Sequence, residues 1–326
     1  APCARERAVP DATSPHKTLL DQELTERIAS LRVRASHAVD GIRSGIHKSP
    51  HRGASVIFAE HRDYRPGDDL RMLDWRAYAR NDRYTIKHFE QETHLRAHLL
   101  LDLSASMAFD GNHFGKAHKQ RASTHKASYA ATLLAALGWI LLGQGDAVGA
   151  FAFDSDLRKA LPARNRPDHL EALLSVLALP ITQDRNTPSV PKLGSALTAL
   201  GERMGRRGLV VLASDLLDTD PDALAPLSQL SALGHDVMVL HVLHPEELEF
   251  PWKHGLHFED AESPATLEVD ADAVRAAYLA ELDQFLSSCK QRCLSAGARY
   301  ALARTDQPVE TVIAGMLLPP RRAGWG

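Results

Sequence analysis

The stretch His98-Leu99-Leu100-Leu101-Asp102-Leu103-Ser104-Ala105-Ser106 decides how the chain folds. Three consecutive leucines predict a strand buried on both faces, the kind found inside a parallel sheet. The run ends on a carboxylate followed by two hydroxyls at alternate positions, which aim three oxygen ligands at one point as the chain leaves the strand. Hard oxygens of this kind suit Mg²⁺ or Mn²⁺. A second buried strand, Leu209-Val210-Val211-Leu212-Ala213, ends in the same manner on Ser214-Asp215, with Asp218 close by. Neighbouring strand ends of a parallel sheet lie side by side, so Asp102 and Asp215 are expected to reach one ion. Thr187 is the candidate hydroxyl from a third loop, with Ser195 as the fallback. An isolated D-x-S-x-S is more simply read as a helix cap. Its position after a buried strand, with a matching strand–Ser–Asp downstream, favours the ion.

Outward from this stretch the chain alternates strand and helix. Apolar periodicity predicts helices over 127–142, 166–178, 193–204, 221–233 and 273–295, and strands over 146–153, 236–241 and 299–303. A short hairpin is expected between Leu256 and Val269. Alternating β and α with apolar strands implies an α/β fold, an open and mostly parallel sheet with helices on both faces. Ligands in such sheets bind beyond the carboxyl ends of the strands. Ahead of His98, residues 19–39 carry Leu20, Leu24, Ile28, Leu31 and Val33 at helical spacing. Residues 42–91 are dense in charge and aromatics and read as small strands and loops. The expected organisation is a tail over 1–17, an N-terminal elaboration over 18–95, an α/β domain over 96–319 and a tail over 320–326.

Bulk composition narrows the function classes. The chain's 326 residues suffice for one large domain or two, and 44% hydrophobic residues exclude wholesale disorder. Lys+Arg and Asp+Glu nearly cancel at 38 against 41, which argues against a nucleic-acid or membrane-surface binder. Three cysteines make no disulfide framework. Cys289 and Cys293, four apart in a helical stretch, read as helix packing rather than half of a zinc site. The segment Ala1-Pro2-Cys3-Ala4-Arg5-Glu6-Arg7 lacks the apolar core of a signal peptide. The most apolar run, 130–143, is shorter than the about 20 residues that span a bilayer. The expectation is a soluble, cytoplasmic protein with no membrane segment.

The strand-end constellation resembles the metal-ion-dependent adhesion site of von Willebrand factor A domains. That resemblance implies that Asp102, Ser104 and Ser106 match the D-x-S-x-S motif, Thr187 the separate threonine and Asp215 the later aspartate. In relatives the threonine stands a few residues before the helix, whereas Pro188-Ser189-Val190-Pro191 intervenes here. The block before the first buried strand narrows the resemblance. It includes Arg52-Gly53, Arg62-Asp63-Tyr64-Arg65-Pro66-Gly67-Asp68-Asp69-Leu70-Arg71-Met72-Leu73-Asp74-Trp75 and Ala79-Arg80. With His244-Pro245-Glu246-Glu247, Phe250-Pro251 and Phe258-Glu259-Asp260 downstream, it is similar to the bacterial domain-of-unknown-function family 58, which joins this signature to an A-like domain. The segment 111–126 departs from the family as a lengthened, His-rich insertion. Physically, Asp68, Asp69 and Asp74 interleaved with Arg62, Arg65, Arg71, Arg76 and Arg80 favour a bidentate Arg–carboxylate clamp. The alternative is that some of these arginines face an acidic partner.

Other motifs fail on spacing. Gly111-Asn112-His113-Phe114-Gly115-Lys116-Ala117 resembles a P-loop but is one residue short and has Ala where Ser or Thr would hold Mg²⁺. His61-Arg62-Asp63 resembles a kinase catalytic loop without its companion motifs. His113, His118 and His125 read as residues of a surface loop. The expected function is non-enzymatic, a divalent-cation-dependent interaction module offering a coordination position to a partner's carboxylate. The resemblance further implies an adaptor for a MoxR-class AAA+ ATPase. The rival readings are a Mg²⁺-dependent phosphoester hydrolase, with His241 and His244 as weak candidates for the general base, and an A-like domain whose site holds no metal.

Overall fold

A computed structural model describes residues 15–45, 54–63, 85–92, 95–111, 125–154, 156–180, 193–204, 207–217, 222–259 and 266–317. Thr187, His113, His118, the two tails at 1–14 and 320–326, and the Arg/Asp clamp around Asp68, Asp69 and Asp74 lie outside the described residues.

Three buried strands set the architecture. These are β3 (Arg96–Asp102), β6 (Leu209–Ser214) and β7 (Asp236–Leu243), each buried at every position after the first. They pair in parallel, Leu101 beside Ala213 and Ser214 beside His241. β10 (Arg299–Arg304) extends the sheet beyond β7, and β4 (Ala147–Phe153) extends it beyond β3. β5 (Leu157–Arg164) closes the far edge antiparallel to β4, giving the order β10-β7-β6-β3-β4-β5. The mostly parallel α/β sheet expected from the strand–helix rhythm is therefore present.

Side chains alternate across a pleated strand, and the two faces collect two separate cores. Leu99, Leu101, Val211, Ala213, Met238 and Leu240 point to one face. There they meet α1 (Pro15–Gly45), α2 (Lys126–Gly143), α3 (His169–Leu177) and α8 (Val309–Leu317). Leu100, Val210, Leu212, Val237 and Val239 point to the other, under α4 (Leu193–Arg203), α5 (Ala225–Ala232) and α7 (Ala271–Ser295). The same parity carries Asp102, Ser214 and His241 to one side at the ends of three adjacent strands.

The helix expected over 19–39 is longer, Pro15–Gly45, and does more than decorate the domain. Leu31, Ala35, Ala38, Val39 and Ile42 lie on one helical stripe and are buried in the same core as α2. Arg27 donates from Nε to the Ala178 carbonyl (2.9 Å) and from Nη2 to the Leu179 carbonyl (3.0 Å), satisfying carbonyls left open at the end of α3. The following block contributes an antiparallel hairpin, β1 (Ala54–Asp63) and β2 (Thr85–Glu92). Among the described residues one helix, α2, is long and apolar enough to cross a membrane, and 72% of it is buried inside this fold.

Three elements depart from the sequence expectation. β5 went unread because Leu157-Arg158-Lys159-Ala160-Leu161-Pro162-Ala163-Arg164 is an edge strand, exposed, charged and carrying a proline that a central strand would not tolerate. The helix expected over 166–178 begins only at His169, after this strand. A single-turn helix, α6 (Pro245–Glu249), follows β7 and leads to the expected hairpin of β8 (Gly255–Glu259) and β9 (Thr266–Asp270).

Candidate metal centre

β3 stops at Asp102, whose side chain is 4% exposed. One carboxylate oxygen, Oδ1, accepts the Ser104 backbone N–H at 2.8 Å, and Oδ2 accepts the Ser214 hydroxyl at 2.6 Å. Ser104 begins the 3₁₀ turn Ala105–Ala108, yet its hydroxyl makes no capping bond. It lies 3.1 Å from the Ser106 hydroxyl instead. The capping alternative thus does not describe what this hydroxyl does. Ser106 in turn hydrogen-bonds to the carboxylate of Asp215. The four residues Asp102, Ser104, Ser106 and Asp215, drawn from two strand ends, meet at the carboxyl edge of the sheet. Ser195 is an exposed residue in the first turn of α4.

The turn after β6 is drawn tight by its own side chains. Ser214 Oγ accepts the Leu216 N–H (3.0 Å) and Asp215 Oδ1 accepts the Leu217 N–H (3.2 Å). Between them Leu216 takes a left-handed φ of 56°, a conformation that costs a branched residue about 1 kcal/mol or more. Such strain persists where surrounding contacts impose it, and here those contacts aim Asp215 inward.

The sequence reading did not anticipate what Asp215 faces. Lys126, the first residue of α2, is wholly buried, and its Nζ lies 2.8 Å from Asp215 Oδ2 and 2.7 Å from Glu247 Oε1. Glu247 belongs to α6, where its other oxygen accepts the His244 N–H at 2.7 Å in a capping box completed by His244 Nδ1 and the Glu246 N–H. One ammonium therefore ties together the chain after β3, β6 and β7. Gly111, with a φ of +70°, packs so closely on α6 that a Cβ would come within 2.5 Å of His244 Cε1. Only glycine meets both demands.

Electrostatics divide the acids. Burial raises the proton affinity of both aspartates, but the Lys126 ammonium more than reverses this at Asp215, which is held below the ordinary carboxylate range. Burial also opposes the charge on Lys126, and Asp215 and Glu247 outweigh it, so the ammonium titrates above its usual range. Asp102 has hydroxyl and amide donors but, among the described residues, no such partner. Burial, then the charge of Asp215, push it up to about 7. With Asp102, Asp215 and Glu247 ionised against Lys126, the charges among these four residues sum to two negative.

These residues fit a hard divalent ion. Two carboxylates and two hydroxyls suit Mg²⁺ or Mn²⁺, which retain water and need few protein anions, and the residual charge matches. Among the described residues no three His, Cys, Asp or Glu side chains converge as a metal site, here or elsewhere, so this site would rest on two carboxylates and its hydroxyls. Cys289 and Cys293 are buried in α7 as packing residues, with burial first and then the Cys289 sulfur pushing Cys293 up to about 12. His241 is fully buried, its Nδ1 2.8 Å from the Tyr300 hydroxyl, and burial lowers its pKa to about 4. His244 is committed to the cap of α6. Both imidazoles are buried, and among the described residues His241 Nε2 has no hydrogen-bond partner.

A sequence profile described as "Protein of unknown function DUF58" matches residues 60–284. The chain belongs to the DUF58 family. Among its relatives is the uncharacterized protein Rv1480 of Mycobacterium tuberculosis, 27% identical over 300 residues that make up 88% of this chain and 86% of the relative. Among solved structures the chain is similar to BatB from Bacteroides thetaiotaomicron, at 16% identity and a TM-score of 0.41, covering 68% of this chain and 96% of that one. It is also similar to the VWA domain of SpRpn10, at 8% identity and a TM-score of 0.37, covering 68% and 95%.

Two residues of this DUF58 site escaped the sequence reading. A lone lysine opening the apolar run Lys126–Gly143 was the available signal, because a cation is disfavoured at a helix N-terminus unless acids meet it. Glu247 stood inside a recognised motif, but only the fold brings α6 beside α2.

Proposed function

We propose that this DUF58 chain is a von Willebrand A-like, non-enzymatic protein-interaction module that docks a carboxylate-bearing partner at the carboxyl edge of its sheet. In this reading Asp102, Ser104, Ser106 and Asp215 hold Mg²⁺ or Mn²⁺, with Thr187 as the fifth donor. A bound divalent ion supplies a coordination position for an oxygen from outside the chain. The residues do the rest. Ser214 and the Ser104 amide fix the Asp102 carboxylate, and Leu216 turns the backbone so that Asp215 stays inward. The observation that carries the proposal is Asp102 itself, a buried carboxylate with no cationic partner among the described residues, pushed up to about 7 by burial and by its neighbour Asp215.

The partner implied by the family resemblance is a MoxR-class AAA+ ATPase. The hydrolase alternative is less favoured because both candidate bases are closed off from solvent, His241 against Tyr300 and His244 at the cap of α6. The test is co-purification of the chain with a MoxR-class ATPase from the same cell, with and without a chelator, beside the Asp102→Ala variant. Recovery that needs the metal and Asp102 supports the proposal. Recovery indifferent to both removes its mechanism.

A further inference from the structure

The buried ammonium of Lys126 has no place in a site that relies on a divalent ion alone. Its Nζ sits within 2.8 Å of an oxygen of Asp215, one of the four residues assigned to that ion, and within 2.7 Å of Glu247. A buried ammonium is costly unless acids surround it, and removing any member of such a set strands a charge. The arrangement therefore holds itself together without an ion. The chain after β3 is fixed through Lys126, the turn after β6 through Asp215, and α6 through Glu247. The 6.0 Å approach of Nζ to the Phe109 ring closes the remaining side with aromatic carbon.

The same contact has a consequence for the ion. An oxygen that accepts an ammonium hydrogen bond has less charge to offer a second cation. A fixed positive charge beside the site also repels an incoming one, strongly so where water is excluded. We propose that Lys126 is a tethered counter-ion that keeps Asp215 and Glu247 in place when no divalent ion is bound and lowers the affinity of the site for one. This rests on the cation reading above and adds a regulatory setting to it. The site stays folded when empty, binds its ion weakly, and gains affinity when a partner contributes a further anionic oxygen.

The experiment is calorimetric titration of the full chain with Mn²⁺, alongside thermal unfolding with and without Mn²⁺. Lys126→Met leaves Asp215 and Glu247 facing each other, so Lys126→Met/Glu247→Gln is titrated as well, because it removes the stranded acid together with the ammonium. The expected result is at least tenfold tighter Mn²⁺ binding in the double variant than in the unsubstituted chain, a larger thermal upshift with Mn²⁺, and loss of both when Asp102→Ala is added. Lys126→Arg, which keeps the charge, is expected to bind within about threefold of the unsubstituted chain. Equal or weaker binding in folded Lys126→Met/Glu247→Gln than in an unsubstituted chain that binds overturns the counter-ion role. Failure of the cation reading shows up separately, as binding in neither protein or as Mn²⁺ binding by the unsubstituted chain that Asp102→Ala leaves unchanged.

Discussion

Replacing Asp215 by Asn swaps one carboxylate oxygen for an amide of nearly the same shape and so isolates the loss of charge. Asp215 is 1% exposed and Lys126 not at all. Asn keeps an acceptor for the Leu217 N–H, so the turn after β6 retains that bond. What disappears is the anion 2.8 Å from a buried ammonium, which keeps Glu247 as its single counter-charge. Breaking a buried pair from one side costs about 3–5 kcal/mol because the surviving charge stays desolvated. A domain has only about 5–15 kcal/mol to lose. At about 2 °C per kcal/mol for a chain of this size, the midpoint should fall by about 6–10 °C. Urea denaturation in the presence of a chelator measures the cost without interference from any ion. A double-mutant cycle with Lys126→Met should return a coupling energy of about 2 kcal/mol or more, because the Asp215–Lys126 attraction is lost in full by either single substitution and only once by both together. A cost below about 1 kcal/mol for Asp215→Asn, or additive losses in the cycle, would refute the picture of a buried ion pair holding the site.

Four further outcomes follow from the same structure. Glu247→Gln should cost less than Asp215→Asn, about 1–3 kcal/mol by denaturation, because Gln still accepts the His244 N–H and Lys126 retains Asp215. Burial above all holds His98 and His241 down to about 4, against about 6.5 in the unfolded chain. The unfolded chain therefore binds the extra protons first, and stability falls as pH drops from about 6.5 toward 4, by about 3 kcal/mol per histidine. Denaturation midpoints at several pH values should show this fall, and His98→Leu should flatten it. A fragment of residues 96–326 should bind a hydrophobic dye and lack cooperative unfolding, because it loses the helix whose Leu31, Ala35, Val39 and Ile42 complete one core. Gly111→Ala should destabilise by about 1–3 kcal/mol in the same denaturation assay, since its Cβ meets both a disfavoured φ and the His244 ring.

Much of this was legible in the sequence because it depends on local pattern. Leu99-Leu100-Leu101 and Leu209-Val210-Val211-Leu212 are apolar at every position, which only a strand covered on both faces requires. Their shared ending, an acid with hydroxyls nearby, located Asp102, Ser104, Ser106 and Asp215. Elements whose character depends on the rest of the fold did not reveal themselves. β5 is a polar edge strand recruited by β4, and its Pro162 spoke against a strand until the edge position was known. The stripe on α1 predicted a helix but not that it would enter the main core. Lys126 carried a charge at the head of an apolar helix, a local conflict that only the long-range arrival of Asp215 and Glu247 resolves. A conflict of this sort between local rule and final fold often marks a site.

The most direct test of the central claim is a Mn²⁺ titration of the unsubstituted chain and of Asp102→Ala at pH 7.5, read by calorimetry. The account predicts one site in the unsubstituted chain and none in the variant, with both proteins folded by circular dichroism. Identical isotherms for the two, or no binding by the unsubstituted chain at millimolar Mn²⁺, would contradict it.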